Sequence, residues 1–590
     1  MGIEAKTLKR SVLHRGVARP SGGRLDRLAS LAFDRRARVA GFVVLSAALT
    51  LVAFVRGWQA VGGLRWPFDP DLFRIVANAV TFKDGGVLSD AHYAGVPAWY
   101  SPFTSALLGV GSLVTSVPVH RLGAQGGAVL NLLTPLALCF VMARWFSRRV
   151  ALLALVAYLF VIGDNYPSFA VASYSPWLYV NIYATGLFIL ALAAVPAAVN
   201  GGATKDALVL GAAAGIVVLT HPAAAVLLGA VVAALFVTGC WRASRARLRG
   251  LARSAGIAVA TALAVSVPYW LPIMIRYQGR VENELAGSFE WPELRRGRVW
   301  SFLGEFVWRW PVLVIAVGLV VCLVSRRFRT PRPPDREVTS TAGAAPGRRG
   351  PIRIGGSSIL AAWTVISFVG LVLEVYRDNG PVQFVPVPAT PSYHFLLSLS
   401  AALCVWFGIA VNAIVRAVLG RFDRRWGAAA VAVVVIGLAI GTVPDWRDRG
   451  DLTFGRQASR DTERFFDNFA VVDWIRSNTK TDDRFVNLGE GLWNGVLLPG
   501  LAGRKSVDIN IPEFSNPFVS YGERQDDAQR MVGALRTCRP TVFARLARKY
   551  GHVRYVITQP SSTLVSTCPD SVPIVYSDNA VSIQRIVIRR

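Results

Sequence analysis

Long apolar runs fill the first three quarters of the chain, and few of them contain a charged residue. A membrane-spanning helix needs about 20 mostly apolar residues, because the hydrocarbon layer is about 30 Å thick and each helical residue rises about 1.5 Å. Eleven windows qualify as predicted spans. They begin near Ala40, Gly127, Val150, Trp177, Ala207, Ala223, Gly256, Phe302, Ser357, Tyr393 and Gly427.

His221-Pro222 separates the fifth window from the sixth, since proline cannot continue the helical hydrogen-bond ladder. Pro102–Val117 is a twelfth, weaker candidate. If it crossed the membrane, every later loop would change sides and the arginine-rich loops would face outward, against the usual enrichment of cytoplasmic loops in Lys and Arg. We therefore interpret it as a juxtamembrane or re-entrant helix on the outer side.

The arginines predict which side each loop occupies, because cytoplasmic loops are enriched in Lys and Arg. With a cytoplasmic N-terminus, all inner segments except the turn 200–206 are rich in arginine. These segments are 1–38, 144–149, 242–253, 326–353 and 416–425. The basic first 38 residues are too long for a signal peptide and favour a signal anchor. We predict a multi-pass plasma-membrane protein with its N-terminus in the cytoplasm and its C-terminal part outside.

The pattern changes at Asp445, where amphipathic helices begin to alternate with short β-branched runs, as in a small α/β domain. The predicted helices are Thr462–Asn478 and Thr541–Tyr550. The predicted strands are Arg484–Leu488, Ser506–Ile511, Val553–Thr558, Val572–Tyr576 and Ala580–Val587. The predicted fold is mainly α: a transmembrane helix bundle followed by a small extracytoplasmic α/β domain. Its parts are a basic N-terminus (1–38), a membrane domain (39–444) with its first outer loop at 57–123, and the outer domain (445–590).

Composition supports this division. The chain has 590 residues, of which 53% are hydrophobic and 17% charged, whereas soluble proteins carry about 25% charge. The net charge of +28 is uneven, with 21 basic and 17 acidic residues in 445–590 against 43 and 19 before it. A single soluble globule, a fibrous repeat and a disordered chain are excluded. Nucleic-acid binding is also excluded, because a basic nucleic-acid surface does not accompany a mean hydropathy of +0.42.

Candidate chemistry concentrates just beyond the first span. Asp69 and Asp71 are spaced to hold a divalent cation, or one of them to act as a general base. The competing interpretation is a helix cap, because Ser, Thr, Asp and Asn favour the position before a helix.

His221, at the outer end of a span, is either a ligand or a structural hydrogen-bonding group. Cys538 and Cys568 are the two cysteines of the outer domain, and whether they pair is left open.

Four short elements carry a resemblance to the GT-C superfamily of polytopic glycosyltransferases. They are Asp71-Leu72-Phe73, Tyr100-Ser101-Pro102, Leu219-Thr220-His221-Pro222 and Ile574-Val575-Tyr576-Ser577-Asp578. Within that superfamily the chain looks closest to two branches. One is the bacterial "6-pyruvoyl-tetrahydropterin synthase-related" membrane proteins. The other is the mannosyl- and arabinosyltransferase-like proteins of actinobacterial envelopes.

The resemblance implies transfer of a sugar from a polyprenyl-phosphate donor, held in the membrane lipid, to a glycan or lipid acceptor on the outer face. It implies inversion at the anomeric carbon, an acidic base in the first outer loop, and in some members a divalent cation such as Mg²⁺ or Mn²⁺. Carried over by position, Asp71 or Asp69 is the base and a tentative metal ligand. The substrate-binding candidates are Tyr100, His221, Arg377 and Arg276, with the two arginines placed to neutralise the departing phosphate.

Two other classes of protein stay open. A transporter of lipid-linked intermediates would also need many spans, but the sequence shows no inverted repeat and no carboxylate clearly buried in mid-span. A non-catalytic envelope assembly factor would use the outer domain to bind partners. Fold-level resemblance alone does not separate these functions from an enzyme.

Overall fold

A computed structural model provides the structure of the chain. It describes residues 23–67, 70–86, 88–93, 95–161, 174–241, 243–283, 301, 310–324, 353–377, 393–419, 424–441, 470–487, 498–509, 515–560, 564, 571–579 and 581–587. The chain divides into two compact units, Met1–Ala48 and Leu49–Arg590. All the site residues described below belong to the second unit.

Helices account for most of the described chain. In order they are α1 (Gly23–Val61), α2 (Pro70–Lys83), α3 (Phe103–Thr115), α4 (Val119–Gln125), α5 (Gly127–Leu130), α6 (Leu133–Trp145), α7 (Arg148–Val156), α8 (Val180–Gly201), α9 (Thr204–Thr220), α10 (Pro222–Cys240), α11 (Arg245–Tyr277), α12 (Trp310–Val324), α13 (Gly356–Arg377), α14 (Tyr393–Leu419), α15 (Arg424–Gly441), α16 (Ala470–Asn478), α17 (Tyr521–Arg536) and α18 (Pro540–Tyr550).

Seven helical segments in the described part of the chain are long and apolar enough to cross a membrane. They are Val39–Val61, Gly127–Trp145, Val180–Gly201, Pro222–Cys240, Arg245–Tyr277, Gly356–Leu373 and Tyr393–Leu419. These correspond to seven of the eleven predicted spans. The other four windows contain α7, α9, α12 and α15. The first three are shorter than 18 residues. Helix α15 has 18 residues, but only its part Ala429–Gly441 is apolar. The structure therefore confirms a polytopic helical bundle but not the count of eleven.

The weak twelfth candidate forms two helices, α3 and α4, which are bent by 117° at the break between them. This geometry suits either a broken span or a re-entrant loop, so the juxtamembrane interpretation stays a prediction. Pro118 precedes α4, and Ser116 has a positive φ of 58° at the end of α3, which turns the chain sharply.

Glycines bring the bundle helices into close contact. A Cβ on Gly186 of α8 would lie 2.8 Å from the backbone nitrogen of Thr134, and one on Gly408 of α14 would lie 2.7 Å from the carbonyl oxygen of Val150. In a membrane, where lipid is as apolar as leucine, such close backbone packing is a main source of helix association.

The C-terminal part contains a five-stranded mixed sheet. Its strands are β1 (Asp483–Asn487), β2 (Lys505–Ser506), β3 (His552–Thr558), β4 (Ile574–Ser577) and β5 (Ser582–Arg585). The strand order is β2-β1-β3-β5-β4, in which β1 pairs parallel with β2 and β3, whereas β5 pairs antiparallel with β3 and β4. The predicted α/β architecture is confirmed.

Helices α17 and α18 cover one face of this sheet. Phe543 and Val556 are fully buried in a core they share with Met531. The sequence predicted α18 within one residue of its start, but α17 was not predicted. Cys538 is disulfide-bonded, and Cys568 lies outside the described residues.

The glycine contacts predict that two Gly→Ala variants differ in stability. Gly186→Ala must push apart the backbones of α8 and α6, and overpacking of this kind costs about 1–3 kcal/mol. Gly229→Ala in α10 is the matched control, because a Cβ there meets nothing within 4 Å. We expect Gly186→Ala to lower the unfolding temperature of the detergent-solubilised protein and Gly229→Ala to leave it unchanged or higher. Equal behaviour of the two variants would contradict this packing.

Candidate functional site

Asp71 lies in the first turn of α2 and forms an ion pair with Arg74. The Arg74 Nη2 atom donates to the Asp71 carboxylate at 2.7 Å. The Asp71 side chain is 39% exposed and that of Arg74 only 12%, so the carboxylate is accessible while the guanidinium is largely enclosed. The helix begins at Pro70, which puts Asp71 within it and not at the capping position before it.

Two aromatic rings lie against the Arg74 guanidinium. Its carbon is 4.3 Å from the centre of the Tyr100 ring and 5.7 Å from that of Trp99. The two rings meet edge to face, with 5.5 Å between their centres. A cation held against aromatic faces is stabilised without losing all its hydrogen-bonding capacity. The structure thus joins Asp71 and Tyr100, two predicted site residues, through an arginine that the sequence analysis missed.

Arg74 keeps its charge in this enclosed place. Burial lowers its pKa, but Asp71 and Tyr100 raise it, and the net pKa is above the ordinary value. Burial also raises the pKa of Tyr100, so its hydroxyl stays protonated. The spacing Asp71-x-x-Arg74 is a sequence signal for this pair, because residues three apart are neighbours on a helix surface.

His221 lies between α9 and α10, with its side chain buried against His394 at the start of α14. The centres of the two imidazole rings are 4.7 Å apart. The loop of Tyr100 reaches the same place, because the Ser101 hydroxyl donates to the carbonyl oxygen of Val218 at 3.2 Å. His221 therefore belongs to the same end of the bundle as Tyr100.

The other predicted site residues are not brought together with Asp71 by the described structure. Arg276 is exposed near the end of α11. Arg377 ends α13, but its side chain lies outside the described residues, as does Asp69 entirely. Arg74, in contrast, forms an ion pair with Asp71.

The described residues do not assemble a metal site around Asp71. No group of three or more His, Cys, Asp or Glu side chains converges anywhere in the described ranges. The Asp71 carboxylate already contacts the cationic Arg74. The predicted Mg²⁺ or Mn²⁺ site between Asp69 and Asp71 stays a prediction, and no chemical step below depends on it.

A second polar cluster joins the segment between α2 and α3 to the C-terminal sheet region. The Asp90 carboxylate accepts from the backbone N–H groups of His92 and Tyr93 at 2.8 and 2.9 Å, and from the Asn516 amide at 2.9 Å. Asn516 also lies 3.1 Å from the hydroxyl of Tyr277, which ends α11. We call Asp90, Asn516 and Tyr277 the clasp, since each comes from a different part of the chain. The sequence contained these residues, but nothing in their spacing indicated that they meet.

Two buried ionisable groups lie near the clasp. Burial lowers the pKa of His92 to about 4 despite the opposing effect of Asp90. Burial raises the pKa of Asp508 to about 7, although backbone hydrogen bonds and Arg524 act in the other direction. The Asp508 Oδ1 atom has no hydrogen-bond partner among the described residues.

Comparison with known proteins identifies the fold. No protein-family model matches the chain, and no curated protein matches it. The crystal structure of ArnT from Cupriavidus metallidurans is similar to the chain, with a TM-score of 0.51 and 15% identity over 93% of this chain and 98% of ArnT. The structure of the same protein bound to undecaprenyl phosphate gives the same values.

Two further solved structures are similar at lower scores. The Archaeoglobus fulgidus oligosaccharyltransferase has a TM-score of 0.42 and 14% identity over 87% of this chain and 69% of its own. The mycobacterial arabinofuranosyltransferase AftD has a TM-score of 0.47 and 13% identity over 92% of this chain and 40% of its own. Neither score is high enough to support a conclusion. The likeness to ArnT shows a shared fold.

The buried carboxyl predicts a pH-dependent stability. Asp508 binds its proton more tightly in the folded state, so its contribution to stability is present below about pH 4 and is lost as the pH rises through about 7. Burial lowers the pKa of His92, so the stability that the neutral imidazole contributes is present above about pH 6.5 and is lost as the pH falls through about 4. We therefore expect Asp508→Asn to raise the unfolding temperature at pH 8 more than at pH 6.5. An equal shift at both values, measured by thermal unfolding, would contradict this assignment.

Proposed function

We propose that the chain is a membrane glycosyltransferase that moves a sugar from a polyprenyl-phosphate donor to an envelope acceptor on the outer face of the plasma membrane. The observation that supports this most directly is the ion pair of Asp71 and Arg74 against Tyr100, in a fold shared with ArnT. ArnT has been crystallised with undecaprenyl phosphate, and we carry that class of lipid over to this chain.

Asp71 is the proposed general base. Its exposed carboxylate takes the proton from the acceptor hydroxyl as that oxygen attacks the anomeric carbon of the donor sugar. The bond between the anomeric carbon and the phosphate oxygen breaks at the same time. The attack comes from the face opposite the phosphate, so the anomeric configuration inverts.

Arg74 is the proposed ligand of the donor phosphate, in place of the predicted Arg276 and Arg377. The leaving polyprenyl phosphate gains negative charge as the bond breaks, and an enclosed guanidinium stabilises that charge. Binding of the phosphate also releases the base, because the phosphate competes with the Asp71 carboxylate for the Arg74 guanidinium. Tyr100 keeps the guanidinium in place during this exchange.

The site also suits a substrate held in the membrane. It lies beside the ends of bundle helices that are apolar enough to span a lipid bilayer, where a polyprenyl chain has its phosphate at the interface. The cytoplasmic N-terminus and the extracytoplasmic C-terminal domain belong to this proposal. They rest on the distribution of arginines along the chain.

The base assignment predicts a catalytic defect. Asp71→Asn should reduce sugar transfer about 10²–10⁴-fold, because general-base catalysis contributes about that much. Transfer is measured in membranes supplied with radiolabelled undecaprenyl-phosphate mannose or arabinose. Asp84→Asn is the matched control, since Asp84 is an exposed carboxylate just after the other end of α2. Asp69→Asn and the double variant test the neighbouring carboxylate. Full activity in both single variants and in the double variant would remove this mechanism.

The phosphate assignment predicts a binding defect. Arg74→Lys keeps the positive charge but removes the planar guanidinium that binds phosphate with two parallel hydrogen bonds. We expect binding of undecaprenyl phosphate to weaken about tenfold or more, since one hydrogen bond to a charged group is worth about 1.5–3 kcal/mol. Arg121→Lys, an exposed arginine on α4, should bind like the wild type. Unchanged carrier affinity in Arg74→Lys would exclude Arg74 as the phosphate ligand.

A further inference from the structure

A small cavity lies between His221 and His394, at the end of the bundle next to the Asp71–Arg74 pair. Its volume of about 20 Å³ is enough for one group the size of a water molecule. Polar side chains occupy one part of its wall and apolar ones the rest. The polar ones are Asn181, Thr185, His221, His394 and Ser398, and the apolar ones include Ala224 and Leu227.

The cavity is a neighbour of the proposed phosphate ligand. The Arg74 charge interacts electrostatically with His221 and with Tyr393. The Tyr393 ring in turn contacts that of His394, with 4.2 Å between the ring centres. A sugar attached to a phosphate at Arg74 is therefore within reach of this cavity.

The cavity contains hydrogen-bonding capacity that the described residues leave unused. The Nδ1 atom of His221, a residue only 8% exposed, has no hydrogen-bond partner among the described residues. The Nδ1 atom of His394 lies 3.5 Å from the Asn181 amide, at the limit of a hydrogen bond. A buried polar atom without a partner costs about 1–3 kcal/mol, and a ligand that supplies the partner recovers it.

The chemistry of the wall indicates which ligand group fits. A neutral imidazole carries one donor and one acceptor, and a hydroxyl group also donates one hydrogen bond and accepts others. Catalytic zinc sites use three protein ligands, whereas the described residues of this wall offer two imidazoles and no carboxylate or thiolate. The positive charge of Arg74 nearby further disfavours a dication. A single hydroxyl group matches the size, polarity and charge.

We propose that this cavity receives one hydroxyl group of the donor sugar, and that His221 and His394 thereby determine which sugar is accepted. This inference rests on the proposed function, because it places the donor phosphate at Arg74. It identifies the substrate as a sugar with a free hydroxyl directed away from the phosphate.

The test compares carrier lipid with and without sugar on the full chain in lipid nanodiscs. The probes are undecaprenyl phosphate and its mannose, glucose and arabinofuranose conjugates. We expect the wild type to bind at least one conjugate about tenfold more tightly than the bare carrier. His394→Phe removes the ring nitrogens, and Ala224→Val adds two methyl groups to the wall. Both variants should bind the conjugate no more tightly than the bare carrier, and both should keep the wild-type affinity for undecaprenyl phosphate.

Ala225→Val is the matched control, because the next residue of α10 adds the same volume but does not line the cavity. This variant should still bind the conjugate about tenfold more tightly than the bare carrier. A gain that persists in both cavity variants would overturn the inference and leave the proposed function intact. So would a wild type that binds no conjugate more tightly than the bare carrier. Failure of the wild type to bind undecaprenyl phosphate at all would overturn the proposed function itself.

Discussion

An arginine enclosed beside a membrane bundle needs compensation for its charge, and the candidate site is built around this requirement. Arg74 receives that compensation from the Asp71 carboxylate on its own helix and from the Tyr100 ring on the following loop. Removing either partner would leave a cation in a place where water reaches little of it. The same arrangement leaves Asp71 exposed, so the residue that neutralises Arg74 is also the one that a substrate can reach.

The position of Tyr100 depends in turn on contacts far away in the sequence. The clasp ties the segment between α2 and α3 to the sheet region through Asp90 and Asn516, which are 426 residues apart. The Ser101 hydroxyl ties the same loop to α9. The C-terminal sheet region therefore helps to hold the segment that carries Tyr100 in place.

Much of the fold was predictable because it follows from local patterns. Seven spans, the helix α18 and strands close to the observed β1 and β3 were recognisable from apolar length or from alternation. Helix α17 was missed, since its buried residues such as Met531 are separated by charged ones and its apolar face is weak. The sequence analysis named Asp71 and Tyr100 as candidates, whereas Arg74, which contacts both, was not among its candidates.

By itself the sequence determined a chain with many apolar helices followed by a C-terminal α/β part, and it pointed to the acidic residues just beyond the first helix. These features depend on composition and on the periods of helix and strand, which are local properties. The tertiary structure decided which arginine faces Asp71, which loop meets the sheet domain, and that His221 and His394 enclose one cavity. Those outcomes depend on contacts between distant segments, whose free energies come from packing and burial that no local pattern records.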